Sequence, residues 1–189
     1  DGSRIYLADW FNNTLLVIDT KTLQRIASIT VGKAPAGVAV NPVSGEIYVA
    51  NRDEDTVSAI DPQTLQVVAT LAVGQRPFSL AVAPDGKRLY VINVHSNDVS
   101  VVDAKGRRET ARIGVGKTPY CAAFAAGGRQ LIVTNQHADS LSVIDTTTLA
   151  VLRTVPAGGY PEGIAVHDGR AYVVNWMDDN VSVFDTTDF

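Results

Sequence analysis

Cysteine, methionine and histidine are all scarce in this sequence. Its 189 residues include one cysteine, one methionine and three histidines. The single cysteine, Cys121, cannot form an internal disulfide, so no disulfide framework holds the chain together. This composition fits a cytosolic protein, and equally a secreted protein that needs no cross-links. Long apolar runs are also missing, because none approaches the roughly 20 residues that a membrane-spanning helix needs.

Charged residues are few, at 19% of the chain, and the net charge is −4. No run of basic residues stands out, which argues against nucleic acid or an anionic membrane as the main partner. Apolar residues make up 46% of the chain, which is the balance of a globular protein rather than a disordered one. A chain of this length can bury one sizeable core.

In place of these features, the sequence has an internal repeat. The stretch IYVANRDEDTVSAID at residues 47–61 recurs in similar form at 5–19, 89–103, 131–145 and 172–185. The aspartate that closes each copy recurs at spacings of 42, 42, 42 and 40 residues. A period of this length is typical of repeat architectures.

Each repeat contains four short apolar segments, which in the third copy are residues 77–83, 88–93, 98–103 and 109–116. They are rich in Val, Ile, Leu and Tyr and too short for ordinary helices, so they predict strands. The sequence PDGK at 84–87 predicts a hairpin turn between the first two strands. Four antiparallel strands per repeat predict an all-β fold, a β-propeller of four-stranded blades. With three strands in the first and last copies, the five copies give 18 strands.

Columns of identical residues form the framework of the repeat. The second strand ends at an Asn or Asp that we expect to bond nearby backbone and to tolerate left-handed geometry: Asp9, Asn51, Asn93, Asn135 and Asn175. The third strand ends at an Asp that we expect to cap the next turn: Asp19, Asp61, Asp103, Asp145 and Asp185. The first strand carries an alanine that we expect to face a crowded axis: Ala39, Ala81, Ala123 and Ala165. A Gly-x-x-Pro sequence links successive repeats.

The strings IYVAN…VSAID and LYVIN…VSVVD, together with the Gly-x-x-Pro links, resemble the YVTN family of β-propeller repeats. The resemblance covers essentially the whole chain. The fourth copy departs from it, with Ile132 where the other copies have tyrosine, a change that we interpret as a packing substitution. The resemblance implies a bacterial or archaeal protein, periplasmic, extracellular or at the cell surface, and a ring of about seven blades.

We expect residues 1–189 to form a single β-propeller domain or segment, with repeats at approximately 1–34, 35–76, 77–118, 119–160 and 161–189. The chain opens mid-repeat at DGSRIYLAD, so we expect the native start to precede it. The lack of a signal peptide then says nothing about compartment. Two alternatives follow: a segment of a longer propeller, or a five-bladed ring closed imperfectly or by another chain. An open arc would expose an apolar blade face at each end.

One end of the propeller is the predicted binding face, where the links and the second-to-third-strand loops gather. Residues in these loops vary among copies while the framework repeats, as expected for a site grafted on a fold. The predicted rim residues are Arg52, Asp53, Arg76, Phe78, Tyr120, Tyr160 and Trp176. They could form a cationic and aromatic rim for an anionic or sugar-like ligand, or they could be ordinary loop residues.

A divalent metal is the one cofactor that the sequence hints at. His95 and His137 occupy equivalent positions in neighbouring copies, and two imidazoles could bind a metal with Glu162 or Cys121 as a third ligand. The alternative is that both histidines are solvated loop residues. Cys121, at the start of an inner strand, is better explained as a small buried residue than as a nucleophile.

Two functions from different classes remain open. The first is a non-catalytic binding or scaffold propeller that engages a protein or polymer through its loop-rich rim. The second is a metal-dependent propeller enzyme of the lyase or lactonase type that uses His95, His137 and Glu162. A copper-dependent redox variant would need more than the three histidines present. The other possible partner is a set of further blades, supplied by a missing segment or by another chain.

Overall fold

The computed structural model describes residues 2–188 and contains 18 strands in five antiparallel sheets, which we call blades 1 to 5. Blade 1 consists of β1 (Arg4–Asp9), β2 (Thr14–Asp19) and β3 (Arg25–Thr30). Blade 2 consists of β4 (Pro35–Val40), β5 (Ile47–Asn51), β6 (Thr56–Ile60) and β7 (Val67–Ala72). Blade 3 consists of β8 (Pro77–Val82), β9 (Arg88–Asn93), β10 (Asp98–Asp103) and β11 (Arg108–Gly114). Blade 4 consists of β12 (Pro119–Ala125), β13 (Gln130–Asn135), β14 (Ser140–Asp145) and β15 (Val151–Pro156). Blade 5 consists of β16 (Pro161–His167), β17 (Arg170–Asn175) and β18 (Asn180–Asp185).

The blades are arranged as in a β-propeller, which confirms the predicted fold class. Strands that are adjacent in sequence pair within each blade, and the inner strands β4, β8, β12 and β16 contact one another in turn. Helical structure in residues 2–188 is limited to 3-10 turns of three residues each, at Arg52–Glu54, Ala126–Gly128 and Gln136–Ala138. None of the helical segments in this range has the length and apolar character required to cross a membrane.

Apolar clusters fill the spaces between neighbouring blades. At the junction of blades 2 and 3, Tyr48 and Val57 pack against Leu89 and Val91, and all four are fully buried. Each Val or Leu buried in this way stabilises the fold by roughly 1.5–3 kcal/mol. Similar clusters lie at the other three junctions. The copies therefore repeat because each blade buries its faces against its neighbours.

The outward faces of blades 1 and 5 are exposed. Strands β5 and β9 are buried along nearly their whole length, whereas β17 alternates between exposed and buried residues. In blade 1 the exposed apolar residues include Ile5 and Leu7, and in blade 5 they include Val174 and Val181. The expectation of an apolar face at each end of the arc is confirmed for the part of the chain described.

The asparagine column does not have the role predicted for it. Asp9 does accept the nearby Asn12 N–H, but the four asparagines are buried and donate from Nδ2 to a serine of the third strand. The donor and acceptor pairs are Asn51–Ser58, Asn93–Ser100, Asn135–Ser142 and Asn175–Ser182, at 2.7–2.9 Å. Asn51 and Asn135 have φ of −95° and −110°, so the predicted left-handed geometry was wrong.

The glycine of each link is explained by these asparagines. A Cβ on Gly32 would lie 2.5 Å from Asn51 Cγ, and a Cβ on Gly74 would lie 2.4 Å from Asn93 Nδ2. Gly116 and Gly158 meet the same obstacle. Close approach to a buried amide, rather than an unusual backbone angle, therefore requires glycine at this position.

The aspartate column caps turns as predicted. Asp61 Oδ1 accepts hydrogen bonds from the N–H groups of Gln63 and Thr64 at 2.9 and 2.7 Å. These bonds stabilise the charged carboxylate, so they lower the pKa of Asp61, with the Thr64 N–H as the largest cause. Asp19 and Asp145 cap their turns in the same way.

The alanine column is less crowded than expected. Ala81 and Ala123 are only half-buried, and Ala165 is exposed. The tight position is instead Gly37, two residues after Pro35, where blade 2 meets blade 3. A Cβ on Gly37 would lie 2.4 Å from the carbonyl oxygen of Phe78.

Candidate binding site at the axial cavity

Hydrogen bonds join each link to a second-to-third-strand loop at the same end of the blades. In blades 2 to 5, a loop N–H donates to a link carbonyl at 3.1–3.2 Å. The pairs are Asp53 to Lys33, His95 to Gln75, His137 to Lys117 and Met177 to Gly159. These two sets of loops therefore form one rim, and we call it the link rim.

Each link leads into an inner strand that starts with an irregularity in its pairing. The register shifts directly after Pro35, Pro77, Pro119 and Pro161. Proline has no N–H to give to the ladder, and a bulge changes the direction of the side chains that follow it. The residues one and two positions after each proline, with the exception of Glu162, line the mouth of the axis.

A cavity of about 360 Å³ occupies this mouth. All five blades contribute to its wall, with Trp10 from blade 1, Gly37 from blade 2, Phe78 from blade 3, Tyr120 from blade 4 and Gly163 from blade 5. None of the side chains that line it carries a charge. Its volume lies in the range of small-ligand sites, which are mostly apolar with a few polar groups.

Aromatic rings dominate one wall of the cavity. The rings of Phe78 and Tyr120 lie 4.6 Å apart between centroids and are tilted by 37°. Burial, and then the negative charge of Glu162, raise the pKa of the Tyr120 hydroxyl above its ordinary value. The hydroxyl therefore stays protonated at neutral pH and can donate a hydrogen bond.

Trp10 also lines the cavity and lies under an arginine. The guanidinium of Arg52 stacks over the Trp10 ring at 5.3 Å from its centroid and donates to Asp53 Oδ1 at 2.9 Å. Both contacts hold the Arg52 charge at the rim. This arrangement fixes one face of the indole ring and leaves Trp10 at the cavity wall.

The other predicted aromatic residues form a separate group on the rim. Tyr160 contacts the rings of His137 and Trp176 edge to face, at centroid distances of 5.0 and 6.0 Å. None of these three residues lines the axial cavity. Arg76 contributes to the rim through its backbone N–H, which donates to Asp55 Oδ1. Of the predicted rim residues, two line the cavity and two form the outer cluster. The remaining three, Arg52, Asp53 and Arg76, lie in neither group.

The predicted metal ligands are not brought together. His95 and His137 are exposed, and His137 Nδ1 lies 2.8 Å from the Thr118 hydroxyl. Glu162 accepts a hydrogen bond from Gln136 at 2.6 Å. Within residues 2–188, no three His, Cys, Asp or Glu side chains are placed to hold one metal ion.

Cys121 is half-buried and lines the cavity, so the expectation of a buried filler is only partly right. Its Sγ lies 3.8 Å from the hydroxyl of Ser79, and its N–H donates to Thr134 Oγ1. Trp10 was not predicted as a site residue. It occupies the same position after the second strand as Arg52 and Trp176, so the repeat alignment could have identified it.

A larger cavity, of about 610 Å³, lies at the opposite end. Hairpin and turn residues of blades 3 and 4 line it, including Asp85, Lys87 and Arg129. Only two blades contribute to that wall, and its lining is charged. The axial cavity is the better candidate because five blades converge on it.

The fold and the cavity define a β-propeller with an apolar axial site, and comparisons with known proteins agree on the fold. A family model described as "YNCE-like beta-propeller" matches residues 43–125, which is less than half of the chain. No curated protein matches the sequence. The narrower resemblance to YVTN repeats stays a prediction.

Solved structures resemble the chain over nearly its whole length. Hydrazine synthase from Kuenenia stuttgartiensis superposes with a TM-score of 0.81 at 18% identity, covering 98% of this chain and 63% of that one. A functionally unknown protein from Desulfotomaculum acetoxidans DSM 771 superposes with a TM-score of 0.83 at 15% identity, covering 96% of this chain and 65% of that one. The chain thus spans less than two thirds of either structure. At these identities the likeness establishes the fold alone.

Proposed function

We propose that this chain is a non-catalytic binding module that holds an uncharged ring of a protein or polymer ligand in the axial cavity. The observation that carries the proposal is the cavity itself, at which five blades converge with uncharged side chains. The resemblance to exported repeat proteins supports a location in the periplasm or at the cell surface.

The lining favours a neutral ligand group over an anionic one. Burying a charge away from water without a partner costs several kcal/mol. The Arg52 guanidinium, which stacks on Trp10 at the cavity wall, is already bound to Asp53. An anion in the cavity would therefore lack a free counter-charge in its lining. A planar apolar ring would instead stack on Phe78 and Tyr120.

The polar groups at the wall provide orientation. The Tyr120 hydroxyl is a protonated donor at neutral pH, and the Ser79 hydroxyl can donate or accept. A ring that carries a hydroxyl, a ring N–H or a sugar oxygen could bond to these groups while its apolar face stacks. Tyrosine or tryptophan side chains and neutral sugars satisfy both requirements.

The test is to screen a displayed peptide library and a glycan array for ligands, then to re-measure each ligand on variants. We expect Phe78→Ala and Tyr120→Ala to weaken binding by at least about tenfold, the equivalent of one lost aromatic contact. The matched control is His167→Ala, in the hairpin at the other end. Ligands that lose affinity only with changes near Asp85 or His167 would contradict the choice of site.

Metal analysis of the purified protein tests the alternative of a metal-dependent enzyme. Stoichiometric metal that is lost in a His95→Ala, His137→Ala double variant would favour the enzyme. Metal-free protein that still binds ligands would favour the binding module.

A further inference from the structure

A tyrosine occupies the same repeat position in the second strands of blades 2 and 3, but its surroundings differ between the two blades. Tyr48 and Tyr90 are both fully buried. Tyr48 packs in the cluster between blades 2 and 3, and Tyr90 packs in the cluster between blades 3 and 4. Because the two rings occupy equivalent places, the environments of their hydroxyl groups can be compared directly.

Blade 2 supplies a partner for its tyrosine from its own sequence. The Tyr48 hydroxyl donates to Glu46 Oε2 at 2.6 Å. Glu46 Oε1 accepts from Nε and Nη2 of Arg107, in blade 3, at 3.1 and 2.8 Å. Burial, and then the hydrogen bond to Glu46, raise the pKa of Tyr48, so its hydroxyl stays protonated and donates. A buried carboxylate is thus bound between a phenol and a guanidinium.

Blade 3 has neither the carboxylate nor its guanidinium partner at the equivalent places. One repeat later in the sequence, Arg88 replaces Glu46 and Leu149 replaces Arg107. Among the residues from 2 to 188, none forms a hydrogen bond with the buried Tyr90 hydroxyl. A buried polar group without a partner is costly and rare in folded proteins. Blade 3 therefore keeps the donor and lacks the acceptor that blade 2 provides.

Tyr90 lines the 610 Å³ cavity at the hairpin end of blades 3 and 4. We call it the junction cavity. The hydroxyl of Tyr48 reaches Glu46, so the hydroxyl of Tyr90 lies on the side of Arg88, which is also in the cavity wall. The junction cavity shares no lining residue with the axial cavity.

Positive charge predominates in the wall of the junction cavity. Its charged residues are Asp85, Lys87, Arg88 and Arg129. Asp85 is already engaged, because its Oδ1 accepts the N–H of Lys87 at 3.0 Å and its Oδ2 lies 3.8 Å from Lys87 Nζ. Arg88 and Arg129 form no ion pair within the described part of the chain. The lining thus contains two cations without an acidic partner.

Both arginines retain hydrogen-bond donors. Nη1 of Arg88 donates to the carbonyl of Thr146, and Nε of Arg129 donates to the carbonyl of Ala126 at 3.2 Å. A guanidinium has five N–H donors, so each arginine has further N–H groups for a ligand. These backbone contacts also fix where the two guanidinium groups lie.

We propose that the junction cavity is a second ligand site, which binds the carboxylate of a small organic acid. The ligand carboxylate takes the role that Glu46 has in blade 2. One of its oxygens accepts from the Tyr90 hydroxyl, and the other accepts from Arg88 or Arg129. Hydrogen bonds in which both partners are charged are stronger than neutral ones, and guanidinium matches the planar geometry of a carboxylate.

The experiment titrates the protein with sodium succinate at constant ionic strength, adjusted with sodium chloride, and follows the amide NMR signals of Gly128 and Thr146. We expect saturable binding. Tyr90→Phe should weaken it by about tenfold, since the ligand loses a hydrogen bond to a charged group. Tyr48→Phe is the matched control and should bind succinate as the wild type does, because its partner is Glu46.

Urea unfolding without ligand provides a second comparison of the same two variants. Tyr90→Phe should be at least as stable as the wild type, because it removes a buried hydroxyl that has no partner. Tyr48→Phe should be less stable, because it deprives Glu46 of a donor. Equal losses of stability would mean that the Tyr90 hydroxyl is already satisfied, and would overturn the proposal.

Charge variants test the arginines. Arg129 is exposed, so Arg129→Gln should leave the circular dichroism spectrum unchanged while weakening succinate binding by about threefold or more. Lys105→Gln removes a charge from an exposed residue outside the cavity and should have no effect on binding. Arg88→Glu restores the residue type of blade 2 and should abolish binding, because the chain then supplies its own carboxylate. Equal weakening by Arg129→Gln and Lys105→Gln would overturn the site.

Three further outcomes would overturn the proposal. Signals that respond equally to chloride and succinate would show general screening, and the absence of saturation would leave water as the partner of Tyr90. Inorganic phosphate that binds more tightly than succinate would mean that the ligand group is not a carboxylate. Succinate binding that is lost in Phe78→Ala would place the ligand in the axial cavity, whereas unchanged binding in that variant supports a separate site.

Discussion

Replacing Gly37 with alanine tests whether close backbone contact between blades 2 and 3 requires glycine two residues after Pro35. The added Cβ would lie 2.4 Å from the Phe78 carbonyl oxygen and 3.1 Å from Ser79 Cα. Ordinary carbon–oxygen contacts are about 3.3–3.6 Å, so blade 3 would have to move away by about 1 Å. Overpacking of this kind costs roughly 1–3 kcal/mol in the free energy of unfolding.

Alanine is itself favoured over glycine in a strand by roughly 0.5–1 kcal/mol, which offsets part of this cost. We therefore expect Gly37→Ala to lose about 1–2 kcal/mol of unfolding free energy. With a urea dependence near 2 kcal/mol per molar, the midpoint should fall by about 0.5–1 M. Circular dichroism during urea unfolding measures this shift.

The matched control is Gly163→Ala, at the equivalent position in blade 5. A Cβ there would meet only Val174 Cγ2, at 3.8 Å, which is an ordinary contact. We expect this variant to be as stable as the wild type, or up to about 1 kcal/mol more stable. If the two variants shift the urea midpoint equally, the close approach to Phe78 is not the reason that position 37 requires glycine.

Other expectations concern turns, ligand and pH. Leu23 and Leu65 both have left-handed backbone, with φ of 57° and 56°. Leu23→Gly should raise the free energy of unfolding by about 0.5–1 kcal/mol because Leu23 is exposed. Leu65→Gly should lower the free energy of unfolding because Leu65 packs on a core cluster. Thermal unfolding of both variants measures the difference between them. In an NMR titration, indole should bind the wild type and His167→Ala alike but should bind Phe78→Ala about tenfold more weakly. Equal binding to all three proteins would mean that indole binds outside the axial cavity. The pKa of Asp61 is lowered by hydrogen bonds from Thr64 and Gln63, so its contribution to stability is present above its unfolded pKa. This contribution is lost as the pH falls through the lowered pKa of Asp61 in the folded state. The difference in unfolding free energy between the wild type and Asp61→Asn, measured in urea, should therefore shrink below about pH 4. A difference that stays constant with pH would mean that the carboxylate charge does not stabilise the turn.

The sequence predicted the blades well because their signals are local and repeated. Apolar runs of four to seven residues, separated by turn residues, recur at a fixed period, so a weak signal is seen several times. The aspartate caps follow from the same logic, since Asp61 bonds residues two and three positions away. The strand count and the turn chemistry were therefore accessible without coordinates.

The framework asparagines were misjudged because their partners lie on another strand. Asn51 binds Ser58 across a strand pair, and its environment depends on burial that sequence alone does not reveal. The turn preference of asparagine pointed to the wrong position. The left-handed residue lies four positions later, at Asp55.

The cavity was predicted in part. Phe78 and Tyr120 were identified because they vary at a constant position, one residue after proline. Trp10 was missed although the repeat places it at the position of Arg52 and Trp176, because the sequence does not show that the loop of blade 1 reaches the same axis. His95, His137 and Glu162 share the link rim, but occupying one rim does not bring side chains within ligand distance of one ion.

The pairing irregularity after each link proline has an evolutionary consequence. The residue directly after proline is Ala36, Phe78, Tyr120 or Glu162 in successive blades, while the buried framework around it hardly changes. Because this position lies outside the regular register, its side chain can change with little effect on strand pairing. Selection can thus vary the mouth of the axis one blade at a time, in independent steps. Homologous propellers that recognise different ligands should differ first at these positions.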